Sequence, residues 1–222
     1  MNHTNEIYYK FKSKKGSHSI ANQLALELLC IMTQLDNSNL PILEVGAGIG
    51  TITETLLRTT NNEIFAQEYN ELCREKLKKL EKSFPGKLNI SDSIDIQTYK
   101  YIVIDGPYSK KEMFNAIKVS QFTLKWVAIE NGRTATRIQI AISLFKAGLR
   151  QSTVEFRKDN YAPSLTFFYV HKPPYKNNLQ TFMDLIFILG KYWPKYLKLL
   201  LRRGGRQHFK VGKKMEGEFG KV

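Results

Sequence analysis

The chain has 222 residues, 42% of them hydrophobic, which is enough to bury one good core and leave an appendage outside it. Its two cysteines, Cys30 and Cys73, exclude a disulfide framework, lack metal-ligand spacing and read as small buried hydrophobes. The net charge of +14 is uneven: from His171 onward twelve Lys/Arg stand against three acids, so +9 belongs to the tail, a surface that attracts nucleic acid, acidic glycans or anionic lipid alike.

Residues 1–16 are polar and basic and are expected to form a loose arm. They contain no apolar h-region, so no signal peptide is expected. Ser17 to Leu35 read as an amphipathic helix whose apolar positions Ile20, Leu24, Leu28, Ile31 and Leu35 recur at steps of four, four, three and four. Strands and helices then alternate. Ile42–Val45 is a buried strand and Thr51–Leu57 a helix; Glu63–Gln67 is a strand and Asn70–Ser83 a helix. Lys87–Ile90 and Tyr101–Ile104 are strands, Lys110–Gln121 a helix, Trp126–Ile129 a strand and Ala135–Ala147 a helix closed by Gly148. Val154–Phe156 and Thr166–Val170 end the run as an antiparallel pair at a sheet edge. This alternation predicts an α/β fold with a doubly wound, mostly parallel sheet.

Between the first strand and its helix lies E-V-G-A-G-I-G, with Glu44 in the strand and glycines at 46, 48 and 50. Strand, tight glycine turn and helix N-terminus together make a nucleotide-type cofactor site. A dinucleotide loop needs G-x-G-x-x-G, but position 51 is Thr. An acid two residues before the first glycine also suits a cation better than a pyrophosphate. The stretch resembles motif I of the class I S-adenosylmethionine (SAM)-dependent methyltransferases, a resemblance that covers roughly residues 17–171. It implies a seven-stranded sheet with the last pair antiparallel, and SAM as cofactor.

The resemblance also assigns residues. Glu44, Gly46, Ala47, Gly48 and Gly50 would hold the methionine end, and any side chain at 46 is expected to invade the cofactor's space. Glu68, closing the second strand, would grip the ribose hydroxyls. Asp92 after the third strand, with Asp95 in reserve, would accept from the adenine amine. Asp105-Gly106-Pro107-Tyr108 ends the fourth strand at the corner that faces the methyl group, making Asp105 and Tyr108 the catalytic candidates. Amino methyltransferases of bases look like [Asp/Asn/Ser]-Pro-Pro-[Tyr/Phe/Trp] here, and this chain has Gly106 in place of the first Pro. O-methyltransferases of the catechol type carry an Asp here and an Asp-Asn pair after the fifth strand, which hold Mg²⁺ through oxygen ligands; Asp105 with Glu130-Asn131 is the matching set. Arg133 and Arg137, just beyond, are candidates for gripping an anionic substrate, and His18 for a base.

Three segments follow from this reading: an arm (1–16), a SAM-binding domain (17–172) and a basic extension (173–222) that begins at Pro173-Pro174. In the extension Lys191, Lys195, Lys198 and Arg202 step by four, three and four among aromatic and leucine residues. No uninterrupted apolar stretch reaches the ~18 residues of a spanning helix. The expectation is a cytoplasmic SAM-dependent methyltransferase acting on a hydroxyl, with or without Mg²⁺. Its extension would meet an anionic membrane surface or nucleic acid. The alternatives are a nucleic-acid N-methyltransferase, a non-catalytic scaffold of the same fold, and a nicotinamide dehydrogenase, which Thr51 and Glu44 disfavour.

Overall fold

The computed structural model describes residues 2–14, 20–34, 39–130, 134–157 and 164–171, with 182, 183, 186, 187, 189–191 and 194. Two helices come first, α1 (Asn2–Lys12) and α2 (Gln23–Gln34). The alternating part follows: β1 (Ile42–Val45), α3 (Thr51–Thr59), β2 (Ile64–Gln67), α4 (Glu71–Glu81), β3 (Leu88–Ser91), β4 (Tyr101–Ile104), α5 (Lys110–Val119), β5 (Trp126–Glu130), α6 (Thr134–Lys146), β6 (Arg150–Phe156) and β7 (Leu165–His171). One seven-stranded sheet has the order β3-β2-β1-β4-β5-β7-β6. The first five strands are parallel; β7 runs antiparallel to both β5 and β6.

Strands covered on both faces read as near-continuous apolar runs. ILEV, YIVI and WVAIE are such runs, and every residue in them is buried. Leu43, Val45, Ile102 and Ile104 face one core with α5 and α6; Ile42, Tyr101, Val103 and Ala128 face the other with α2 and α3. Glu44 lies on this second face, and it is the single acid in an otherwise apolar strand. The strand order reverses between β1 and β4. In open α/β sheets this is where the carboxyl ends of the strands part and a ligand crevice opens.

Two expectations about the N-terminus need correction. The arm is helical rather than loose: Ile7 and Phe11 of α1 are buried and pack with Ile49, the residue between the second and third glycines of the loop. Lys10 donates to both carboxylate oxygens of the buried Glu54 at 2.7 and 2.6 Å, and Arg58 donates to the same group at 2.9 Å. An apolar pair at i and i+4 in an 11-residue segment is too short a signal against five charged or amide neighbours. The second correction is to α2, which starts at Gln23 and buries Ala25, Leu26, Leu29 and Thr33, whereas Ile31 is exposed. The helix is apolar over much of its surface, so the period alone did not choose its inner face. Ser17–His18 and Leu35, expected in this helix, lie outside the described residues.

Candidate active site

The glycine loop is laced to both neighbouring strands. Gly46 and Ala47 donate backbone bonds to Gln67 of β2 at 2.9 and 3.1 Å, while Asp105 and Gly106 donate to Val45 of β1 at 2.9 and 3.0 Å. Gly46, Gly48 and Gly50 all have positive φ, a region that L side chains seldom adopt. Space around them differs. A Cβ on Gly46 would lie 2.2 Å from Gly106 Cα, so the expectation that position 46 faces the cofactor is corrected: it faces backbone. A Cβ on Gly106 would likewise lie 2.4 Å from Gly46 Cα. A Cβ on Gly48 meets nothing within 4 Å, so position 48 is the one that opens outward.

Glu68 sits across this opening. Its carboxylate accepts from the Gly48 amide at 2.6 Å and from the Asn70 amide at 2.7 Å, and Asn70 in turn caps α4. Arg74 holds the backbone beneath it, donating to the carbonyls of Glu68 and Tyr69. Beneath the loop Glu44 is fully buried, and neither of its oxygens makes a geometrically sound hydrogen bond. Burial pushes its carboxyl up to about 8, with a smaller push from the negative Glu68, while the neighbouring Thr53 hydroxyl and amide pull it down. The N-terminus of α3 begins at Gly50 with no side-chain cap. The structure thus brings together Glu44, the three glycines, Glu68 and the Asp105-Gly106 corner.

The other candidates divide. Asp92 is exposed on the next loop, which Gln67 steadies by donating to the Asp92 carbonyl at 3.2 Å. Glu112 of α5 ties the same loop through the Ile94 amide; Asp95 is exposed there too. Asp105 is half-buried at the corner. Tyr108 is packed against the α5/α6 core and donates to Gln139 at 3.2 Å, and burial raises its phenol to about 12. Neither position nor acidity suits it to take a proton.

Of the expected metal set Asp105, Glu130 and Asn131, Asn131 lies outside the described residues and Glu130 has other partners. Glu130 is fully buried and accepts from the backbone and side-chain amides of Asn22 at 3.3 and 3.1 Å. Asn22 also caps α2, accepting from Ala25. Glu130 therefore anchors α2 to the sheet, and among the described residues no three His, Cys, Asp or Glu side chains can hold a metal ion. Asn131, Arg133 and His18 lie outside the described residues; Arg137 is buried in α6.

Sequence reasoning missed Tyr69. It follows Glu68, is 47% exposed, and reaches toward the backbone of Ser109 and the acids Asp92 and Glu112. Its adjacency to the strand-end acid was the one available signal. A separate cavity of about 490 Å³, lined by Met32, Tyr101, Trp126, Tyr169 and His171 among others, lies at the opposite end of the sheet and has no part in this site.

No family model and no curated protein matches the chain. Solved structures do. A Thermoplasma acidophilum protein aligns with TM-score 0.51 at 13% identity, over 78% of this chain and 98% of its own. The SAM-bound magnesium protoporphyrin IX methyltransferase of Synechocystis aligns with TM-score 0.50 at 11% identity, over 76% and 91%. A SAM-dependent O-methyltransferase of Thermotoga maritima aligns with TM-score 0.50 at 15% identity, over 70% and 68%. With this strand order, this glycine loop and these neighbours, the chain has the fold of the class I SAM-dependent methyltransferases.

Proposed function

We propose that the protein is a SAM-dependent methyltransferase whose acceptor is a hydroxyl group of a small molecule or glycan. The observation that carries the cofactor assignment is a carboxylate, Glu68, held over the open face of Gly48 while a second carboxylate, Glu44, is buried beneath the loop without sound bonds. A buried acid whose oxygens make no geometrically sound hydrogen bond is costly unless a ligand completes it. SAM, when bound, supplies an electrophilic methyl carbon and departs as S-adenosylhomocysteine.

The chain's own groups fit that ligand. Glu44 favours its positive charge. The uncapped amides at the start of α3 suit its carboxylate. Glu68 exchanges the Gly48 amide for two ribose hydroxyls, a bidentate acceptor role, and Asp92 accepts from the adenine amine. Tyr69 offers an aromatic face beside that edge. Asp105 accepts the proton that the acceptor hydroxyl loses as its oxygen bonds to the methyl carbon and the carbon–sulfur bond breaks. Alignment in a dry crevice supplies the rest, up to roughly 7–11 kcal/mol.

The corner favours oxygen over a base amine. Gly106 touches Gly46 backbone to backbone, so the proline found there in base amino methyltransferases has no room. Glu130, already bonded to Asn22, is not offered to a metal ion. A panel of hydroxyl and base acceptors assayed with labelled SAM tests the reading. Label transferred to a hydroxyl, and lost with Asp105→Asn, supports it; label on a base amine overturns it.

A further inference from the structure

We propose that the cavity at the far end of the sheet is a binding site of its own, suited to a small planar aromatic carboxylate. It lies where the parallel strands begin, away from the crevice at their carboxyl ends, and its volume is about 490 Å³. Pockets of roughly 300–1,000 Å³ are the usual size for small molecules. Strand pairing builds the floor. Tyr101 of β4, Trp126 of β5, Tyr169 of β7 and Ser152 of β6 stand in one register row across neighbouring strands, so they share a face of the sheet. Tyr101 and Trp126 stack with centroids 4.4 Å apart and are almost fully buried. Phe167 braces the row, meeting Trp126 edge-on at 5.2 Å and stacking on Tyr169 at 5.7 Å. Met32 of α2 closes one wall, its sulfur accepting from the Tyr169 hydroxyl at 3.7 Å. The floor is thus set before any ligand arrives, and flat rings suit a flat ring.

Charge chooses the occupant. The basic steps of the extension at Lys195, Lys198 and Arg202 lie outside the described residues, so the charge that counts here is local. Lys125, Ser152 and His171 form an exposed rim, with His171 Nε2 and Ser152 Oγ 2.9 Å apart. Lys100 places its Nζ 5.8 Å from the Tyr101 ring, and Arg150 stands opposite His171 in the β6/β7 register. Among the described residues no Asp or Glu lines the cavity. The Tyr169 hydroxyl bonds only a weak sulfur acceptor, and burial pushes its phenol up, so it remains a donor at neutral pH. A carboxylate would take charge-assisted bonds from such a rim while its ring lay on the aromatic floor. A neutral ring would leave the cation unused, and an aliphatic anion would forgo the stacking. The crevice at the glycine loop has the opposite character, with Glu44, Glu68 and Asp105 around it, so an anion tells the two sites apart.

The test is isothermal titration of the full chain with three probes: cinnamate, its uncharged amide cinnamamide, and hexanoate. Cinnamate is expected to bind at one site, about tenfold more tightly than either of the others. Lys125→Met should weaken it by about fivefold or more, the loss of one hydrogen bond to a charged group. Ser152→Phe should abolish it by filling the space, and an edge strand accepts an aromatic residue readily. Glu68→Ala, at the other end of the sheet, should leave cinnamate binding unchanged. Circular dichroism shows which variants fold, and either rim variant suffices if the other does not. Failure of cinnamate to bind overturns the proposal, as does equal binding of cinnamamide or of hexanoate. Cinnamate binding that survives Ser152→Phe but is lost in Glu68→Ala would put the ligand in the glycine-loop crevice and overturn it as well.

Discussion

Glu44 sets the balance between stability and function at the scale of single residues. Its carboxyl titrates near 8 in the fold against 4.5 in the open chain, so between those values the native state binds the extra proton. Stability therefore falls as pH rises through this window and levels off above it. Glu44→Gln should remove that slope and melt higher than wild type at pH 8.5 without cofactor, by roughly 2–4 kcal/mol. The same change should weaken SAM, whose binding must expel the proton. Wild-type affinity should accordingly rise with pH up to about 8. Melts at pH 5 and 8.5, with titrations in two buffers of different ionisation enthalpy, check both signs. The glycines make a paired test. Gly46→Val should fail to fold, since its side chain would strike Gly106. Gly48→Asn should fold, because Asn tolerates left-handed backbone and the space is open, yet should bind cofactor poorly. Tight binding by Gly48→Asn would move the cofactor elsewhere. That Glu44, the glycines and Glu68 come together was legible because the loop is a local device, written within 25 residues. The Asn22–Glu130 bond spans 108 positions, and a carboxylate committed to so distant a partner looks, in sequence, like a free ligand.

At the scale of elements, every strand of the sheet was legible, because buried parallel strands are short apolar runs between turn residues. Boundaries moved by a residue or two, except in β6, which starts four residues earlier than expected, at Arg150. That strand alternates and lies at the edge, where half of its residues need not be apolar. The helix α1 was not legible, since its stability comes from docking on α2, α3 and the loop rather than from its own pattern. Phe11→Ala should cost about 3–5 kcal/mol if α1 is part of the core. It should also loosen Ile49, so cofactor affinity should fall with it. Chemical denaturation and SAM titration of this variant measure the two effects; a loss under 1 kcal/mol with unchanged affinity would mean that α1 is a dispensable arm after all.

For the whole molecule, topology decides where chemistry can occur. The order reverses between β1 and β4, and the glycine loop, Glu68 and the Asp105-Gly106 corner lie together at that gap. The sheet was predictable from alternation alone; the acceptor was not, because one fold hosts many methyl acceptors and only the corner residues differ. On the proposed reading the acceptor is an oxygen and Asp105 takes its proton, while Glu130 stays bonded to Asn22. Turnover should persist in EDTA, and loss of activity that Mg²⁺ restores would reverse that part. The central claim is the cofactor itself, and isothermal titration of the full chain with SAM and with NAD tests it most directly. One SAM site is expected, no NAD binding, and a loss of roughly 1.5–3 kcal/mol in Glu68→Ala, the range for hydrogen bonds to a charged group. Binding of NAD in place of SAM, or SAM binding indifferent to Glu68, would contradict the account.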